Sequence, residues 1–323
     1  MGGPPPYESV EAAGIAEHGA DRRMRDISFK VSTLRTALAR AELRASSSSL
    51  TAIRERRVPK GNPLEIAKAS AVIAAKRTTD WIPYCHNIPI EFVDVQFALG
   101  EDRITIDVCI KTVAKTGVEM EAMTAAAAAA LTIYDMLKMI DDEMEISSIR
   151  LLDKKGGKSD FVSDDAWTGA VLTVSDRAAS GVYEDRSGPI LVQGMLDRGA
   201  SSVESQIVAD ESEAIRQQVR DWVRTKVDIV LVAGGTGIGP RDRTPEALEE
   251  LFDLRLPGVV EALRSYGQDR LHTAMFSRSS AGVIGSSLVV CIPGSPGACQ
   301  DALSALFPAL LHAKAMLAGG GHA

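Results

Sequence analysis

From Gly156 to Ala166 the sequence turns polar and glycine-bearing, with Gly156, Gly157, Lys158, Ser159 and Asp160 in succession. The patterning differs on its two sides. A stretch with so little to bury marks a junction, and 323 residues is a length that two cores fill more naturally than one. We read a leader at residues 1–25, opening on Gly2, Gly3, Pro4, Pro5 and Pro6, a first domain at 26–158, a linker at 159–166 and a second domain at 167–323.

The first domain reads as α+β. Helical periodicity runs over 32–44 and again over 63–76. A hairpin follows: Val93, Val95, Phe97 and Leu99 alternate along one strand, Ile104, Ile106, Val108 and Ile110 along the next, with Gly100-Glu101-Asp102 as the turn. A long helix is expected over 118–140, its Ala125–Ala130 run combining high helix propensity with a small cross-section. Residues 146–152 close as a strand. This order predicts an antiparallel sheet covered by helices, of ferredoxin-like type.

The second domain alternates strand and helix: strands over 170–174, 203–208, 228–233 and 287–292, helices over 189–198, 211–226, 244–252 and 295–317. Apolar strands separated by helices predict an α/β domain with a mainly parallel sheet covered on both faces. In such sheets ligands bind beyond the carboxyl ends of the strands, so the loops after Val174, Val208, Ala233 and Ile292 are the places to search.

The net charge of −7 argues against a nucleic-acid binder, and no apolar run is long enough for a bilayer. With no signal-like N-terminus, the expectation is a cytoplasmic protein without membrane partners. The cysteines, at 85, 109, 291 and 299, form no CxxC pair, which excludes a zinc ribbon and a disulfide framework; Cys109 and Cys291 read as small core residues.

In the second domain, Gly234-Gly235-Thr236-Gly237-Ile238-Gly239-Pro240-Arg241-Asp242 leaves one strand and enters a helix at Thr244-Pro245. Glycines there let backbone N–H groups approach phosphate oxygens, although the loop matches neither a Walker A sequence nor GxGxxG. Asp242 is either a ligand for Mg²⁺ travelling with a nucleotide or a turn aspartate. Asp210 is either a functional carboxylate or the N-cap of a capping box with Glu213. In the first domain, Glu119 and Glu121 begin the long helix, and at about 100° per residue Asp135 falls only about 40° round from Glu121, with Lys138 one turn on. Those acids either complement the helix N-terminus and a surface pair or form a buried stripe with shifted pKa values. His86, between Pro83 and Pro89, sits in a shaped loop; Lys60-Gly61 and Lys76-Arg77 offer anion contacts.

Taken in order, VPKGN (58–62), AAKRTTDWIPYCHNIP (74–89), KTGVEMEAMTAA (115–126), LTIYDMLK (131–138) and RLLDKKGGKS (150–159) closely resemble cyclic pyranopterin monophosphate synthase. The resemblance implies a ferredoxin-like hexamer with sites at subunit contacts. Its reaction converts a cyclised dihydro-GTP intermediate to cyclic pyranopterin monophosphate and pyrophosphate. Carried over by motif, Asp135 is the catalytic acid and Lys60 and Lys138 are acid–base lysines. Tyr84, Cys85, His86, Met120 and Glu121 line the substrate, Lys76 and Lys154 suit its triphosphate, and Glu119 supports the pterin end. A lysine beside Asp135 in a closed pocket would titrate near neutrality. Asn62 stands where many relatives have aspartate, and Asn87 where proline is usual; both bear on loop shape.

LTVSDRAASGVYED (172–185), Ala209-Asp210-Glu211, GGTGIGPRDRTP (234–245), Leu256-Pro257-Gly258 and IPGSP (292–296) resemble the molybdopterin adenylyltransferase family. This implies a trimeric α/β fold that adenylylates molybdopterin with Mg-ATP. The functional aspartates fall on Asp210 and Asp242, and nucleotide and pterin contacts on Ser175, Asp176, Gly234, Gly235, Thr236, Gly237 and Ser295. The family also includes binding or scaffold members, and Ile238-Gly239 departs from the shorter, more basic loop of some transferases. The alternative for this half is therefore a non-catalytic pterin-binding or scaffold module. Together the resemblances imply a bifunctional enzyme of molybdenum-cofactor biosynthesis, a homo-oligomer of threefold symmetry, with other enzymes of the same assembly as possible partners.

Overall fold

The computed structural model describes residues 23–157, 166–307, 309–317 and 319. The expected leader lies mostly outside the described residues, and so does the expected linker except for Ala166. The described residues form two sheets with separate helical covers.

The first half runs β1 (Thr33–Arg44), α1 (Ser47–Arg54), α2 (Pro63–Lys76), α3 (Thr78–Trp81), β2 (Phe92–Leu99), β3 (Arg103–Ala114), α4 (Glu119–Leu137) and β4 (Glu145–Lys155). Its sheet has the order β2-β3-β1-β4 with every neighbour antiparallel. The helix expected over 32–44 is instead β1, a central strand. Ala and Leu at 34, 37, 38 and 41 fit a helical stripe, and these residues have high helix propensity. The same segment also alternates: Ala37, Ala39, Ala41 and Leu43 are fully buried, with half-buried residues between them. Pairing on both edges settles the choice, and Arg40 reaches across to Asp107 of β3 at 2.6 Å. Burial of a strand between two partners outweighs local propensity.

The buried face of β1 receives α4. Ala122, Ala125, Ala126, Ala129 and Ala130 are fully buried in one core with Ala37, Ala39 and Ala41 and with Ala67 and Ala71 of α2. Alanines on three elements let these backbones approach closely.

The second half runs β5 (Trp167–Val174), α5 (Asp176–Ala179), α6 (Ser187–Leu196), β6 (Ala200–Val208), α7 (Ser212–Arg224), β7 (Ile229–Ala233), α8 (Thr244–Glu249), β8 (Leu254–Arg255), α9 (Pro257–Gln268), a 3₁₀ turn (His272–Phe276), β9 (Ser280–Ile284), β10 (Ser287–Ile292), α10 (Pro296–Leu306) and α11 (Ala309–Leu317). The sheet order is β6-β5-β7-β10-β9-β8. β6, β5, β7 and β10 are parallel, whereas β9 and β8 join antiparallel, making the sheet mixed. Strand β9, the edge strand β8 and helix α9 were not anticipated. One apolar cluster packs Leu191, Met195, Leu263 and Leu303 on one face, another Ile215, Val219, Trp222 and Leu248 on the opposite face. Cys291 is buried as expected, while Cys109 is only half-buried. Among the described residues no helix is long and apolar enough to cross a membrane.

Enlarging the alanine seam is expected to be costly. Ala126→Leu should destabilise the first half by roughly 1–3 kcal/mol through overpacking, seen as a lower urea midpoint for that half's transition.

Candidate functional site

In the first half the chemistry-bearing residues fall into two groups, at opposite ends of α4. At its C-terminal end, Lys60 comes from the turn before α2, where Gly61 has φ of 96° and Asn62 caps the helix through its side-chain oxygen. Asparagine caps as well as aspartate, so this departure leaves the loop intact. Lys60 Nζ donates to the Asp135 carboxylate at 2.8 Å and to the Asp135 carbonyl at 2.8 Å. Lys138 Nζ approaches the other carboxylate oxygen at 2.7 Å. The two cations, Lys138 first, hold the Asp135 carboxyl at about 2, and Asp135 in turn pushes the Lys138 ammonium up. The expectation of a lysine titrating near neutrality in a closed pocket is therefore corrected for Lys138: the group is open to solvent and its carboxylate partner stabilises the charged form.

At the N-terminal end, Glu121 is buried at 4% exposure. Burial, then the Glu119 charge, pushes its carboxyl up. Burial and the neighbouring Glu121 likewise raise the Cys85 thiol. Lys154 of β4 pairs with Glu119 at 3.0 Å. Met120 and Tyr84 are exposed, and Lys76 stands exposed in the last turn of α2. His86 Nε2 is 2.7 Å from the Arg25 carbonyl. Residues 25–30 also meet the second half, where Arg270 donates to the Ser28 carbonyl at 2.7 Å and Tyr266 to that of Phe29. The acids do not form one buried stripe: Glu121 is buried, whereas the Asp135 side chain is 56% exposed. They lie fourteen helical positions apart, about 21 Å along the axis.

In the second half, the carboxyl ends of β5, β6 and β7 bring Asp176, Asp210 and the glycine loop together. Asp176 and Asp210 clamp each other: the Asp176 N–H donates to the Asp210 carboxylate at 2.9 Å and the Asp210 N–H to that of Asp176 at 3.0 Å. The N-cap reading of Asp210 is thereby corrected, since α7 begins after Glu211 and receives no side-chain cap. Burial raises the Asp210 carboxyl, and the charges of Asp176 and Asp242 add to this while Arg241 opposes it. Arg241 also lies 2.7 Å from Asp176. Asp242 accepts the Gly239 N–H at 2.8 Å, so it does close a turn.

Gly234 and Gly235 have φ of 117° and 61°. A Cβ would meet the Val174 carbonyl oxygen at 2.2 Å from Gly234, and Thr244 Oγ1 at 2.1 Å from Gly235. Only glycine fits this approach of β7 to its neighbours. Thr236 is buried beside them. The Thr244 hydroxyl is buried without a partner among the described residues. Helix α8 takes Arg243, not Thr244, as its N-cap. Ser175 and Ser295 cap α5 and α10 with their hydroxyls, accepting from the Ala178 and Ala298 N–H groups.

Among the described residues no group of three or more His, Cys, Asp or Glu is arranged to hold a metal ion. Sequence reasoning passed over two side chains. Asp185 caps the start of α6 through the N–H groups of Ser187 and Gly188 and accepts from Thr173. Arg278 donates to the Gly237 and Asp242 carbonyls of the glycine loop. Asp185 stood within a quoted motif; Arg278 had no local signal, because its partners lie about forty positions upstream.

Because the Asp135 carboxyl lies below its ordinary value, the stabilisation from its pairing is fully present above about pH 4 and is lost as pH falls through about 2. NMR titration of Asp135 should give a midpoint near 2 in the wild type and a higher one, toward 3.8, in Lys138→Ala.

Residues 24–157 match the model of the MoaC family, and residues 170–312 that described as a probable molybdopterin binding domain. A molybdenum cofactor biosynthesis bifunctional protein of Chlorobaculum tepidum is 44% identical over 314 residues, spanning 97% of this chain and 100% of its own length. A cyclic pyranopterin monophosphate synthase of Peptoclostridium acidaminophilum is 48% identical over 137 residues, 42% of this chain and 87% of its own. The solved molybdopterin biosynthesis Mog protein of Mycobacterium ulcerans is 39% identical over 47% of this chain and 99% of its own, with a TM-score of 0.45. With one relative alike from end to end and each half matched separately, the chain belongs to the family of bifunctional molybdenum cofactor biosynthesis proteins.

Proposed function

We propose that the first half converts the cyclised dihydro-GTP intermediate to cyclic pyranopterin monophosphate and pyrophosphate, and that the second adenylylates molybdopterin with Mg-ATP. We also read the halves as domains at 26–158 and 167–323, the first ferredoxin-like. The β1-α-β2-β3-α-β4 chain order and β2-β3-β1-β4 sheet support that reading.

For the first half, the Lys60–Asp135–Lys138 set carries the proposal. Ring rearrangement needs proton transfers at several positions, and two ammonium groups on one carboxylate are suited to supply and recover protons. In the unliganded state Asp135 is ionised at neutral pH, so its first role is to hold the two lysines; protonation would follow transfer from one of them. Glu121, whose carboxyl burial pushes up, is better placed than Asp135 to hold a proton at the pterin end, beside Cys85. Lys154 and Lys76 supply positive charge for the triphosphate.

These two groups are too far apart in one chain to share one substrate. About 21 Å separates Glu121 from Asp135, which favours a site completed by a neighbouring subunit. The proposed assembly is accordingly a homo-oligomer. Co-expressing Lys60→Ala with Glu121→Ala chains should restore about a quarter of wild-type synthase activity if partners share sites around a twofold, although each variant alone is inactive. No recovery in mixed oligomers would sink the shared site.

For the second half, the mutual Asp176–Asp210 clamp below the glycine loop carries the reading. Gly235, Thr236 and Gly237 would cradle phosphates through backbone N–H groups, while Gly234, whose own N–H donates to the Ile292 carbonyl at 3.1 Å, lets the loop pass close to β5, and Ser175, Asp176 and Ser295 shape the rim. The donor set fits Mg²⁺ brought in by a nucleotide: Asp210 and Asp242 offer two carboxylates, the number Mg²⁺ takes when phosphates and waters supply the rest. Bound Mg²⁺ would neutralise phosphate charge. Burial, joined by repulsion from Asp176 and Asp242, raises Asp210 and supports a cation here as favourable. Transfer joins a phosphate oxygen of the pterin to the α-phosphorus of ATP as pyrophosphate leaves. Asp242→Asn should lower adenylylation by on the order of 10²-fold, leaving synthase activity unchanged. Binding of molybdopterin by the wild type without adenylylated product would instead identify a binding module.

A further inference from the structure

The segment from Gly237 to Asp242 has little to hold it by packing. Residues 238–241 are exposed, and Ile238, its one large apolar side chain, is 77% exposed. On one side the loop borders an open cavity of about 640 Å³. Loops with few buried contacts open readily unless polar contacts tie them down. Arg241 ties the tip of the loop to Asp176 at 2.7 Å, and the ties at its two ends converge on one residue from outside the loop. Arg278, between the 3₁₀ turn and β9, donates through its backbone N–H to the Thr236 carbonyl at 2.8 Å. Its Nε donates to the Gly237 carbonyl at 2.7 Å. One terminal nitrogen donates to the Asp242 carbonyl, and the other pairs with Glu246 of α8.

We propose that Arg278 is a positioning residue for the second half's reaction: by bridging the carbonyls at the two ends of the loop, it fixes where Asp242 presents its carboxylate. The loop's internal geometry leaves that carboxylate little latitude once the ends are held. Asp242 accepts from Gly239 at 2.8 Å, and a Cβ on Gly237 or Gly239 would come within 2.8 or 2.7 Å of it. The bridge needs a planar fork with separate donors aimed at two carbonyls, which guanidinium provides and a lysine ammonium does not. Arg278 sets the loop without being assigned any contact with substrate. The inference rests on reading Asp242 as a functional carboxylate of the nucleotide site, and deepens that reading.

The test uses the intact chain with Arg278→Ala and Arg278→Lys, and Arg216→Ala as a control that borders the same cavity but pairs with Glu213 and Glu250. Amide hydrogen exchange of peptides covering 236–243, in protein without nucleotide, should be at least about tenfold faster in both Arg278 variants. Exchange in β7 and β10 should stay at wild-type rates, which checks the fold. With molybdopterin and Mg-ATP, kcat should fall at least about tenfold while KM for ATP changes by less than about threefold, because the cradle formed by Gly234 and Gly235 is anchored independently on β7. Synthase activity, and both readouts in Arg216→Ala, should be unchanged. Wild-type exchange in Arg278→Ala, faster exchange with unaltered kcat, or full rescue by lysine would each overturn the proposal. If the wild type transfers no adenylyl group, the transferase reading and the proposed role fail together, while exchange still decides whether Arg278 holds the loop.

Discussion

A seam of alanines governs the first half. β1 buries Ala37, Ala39 and Ala41, α4 answers with Ala122, Ala125, Ala126, Ala129 and Ala130, and α2 contributes Ala67 and Ala71. Methyl groups on all three elements let a helix seat closely on a sheet and against a second helix, in an interior dense enough to notice an added methylene. The seam fixes how α4 lies, and α4 carries Glu119 and Glu121 at one end and Asp135 at the other. Both chemical groups are thus set by a contact that contains no chemistry. The same rigidity keeps them apart, because a straight helix cannot bring residues 121 and 135 to one ligand.

The second half solves the same problem differently. Its reactive groups lie on loops rather than along one helix, and the parallel strands β5, β6 and β7 deliver those loops to a common edge. The cost of convergence is crowding. Val174, Thr244 and Asp210 leave no room for side chains at Gly234 and Gly235, and the Asp176–Asp210 clamp uses backbone N–H groups to hold two carboxylates that repel each other. Burial first, and then the like charges of Asp176 and Asp242, raise Asp210, so the convergence that assembles the group also makes it receptive to a cation.

Legibility in the sequence followed the range of the deciding interaction. The β2–β3 hairpin, the long helix and the β/α alternation were readable because period and turn chemistry are local. Segment 33–44 was misread because alanine satisfies periods of 2 and 3.6 alike, and only its pairing with β3 and β4 chooses between them. Asp210 looked like a cap because Glu213 follows at the right spacing, yet its carboxylate turns to an N–H 34 residues earlier. Lys60 and Asp135, 75 residues apart, could be joined only through family resemblance until the fold put them 2.8 Å apart. Arg278 carried no signal at all, since an arginine recognised by carbonyl partners leaves no trace in the residue types of those partners.

The contrast between the halves bears on why their assembly states need not be chosen independently. In the second half Asp176, Asp210 and Asp242 converge within one chain, so association is not required to bring its carboxylates together. In the first half the Lys60–Asp135–Lys138 set and the Glu121–Cys85 set lie at opposite ends of a rigid helix, so on the proposed shared site each chain would supply two half-sites. On that proposal a fused chain is constrained by its less self-sufficient part: a symmetry that joined the half-sites of the first half would also place the second. Residues 28 and 29 give that constraint a physical route, because their carbonyls accept hydrogen bonds from Arg270 and Tyr266 while Lys115 of the first half donates to Ser28 at 3.2 Å. The segment that leads into β1 is therefore held from both sides, next to the loop that carries His86.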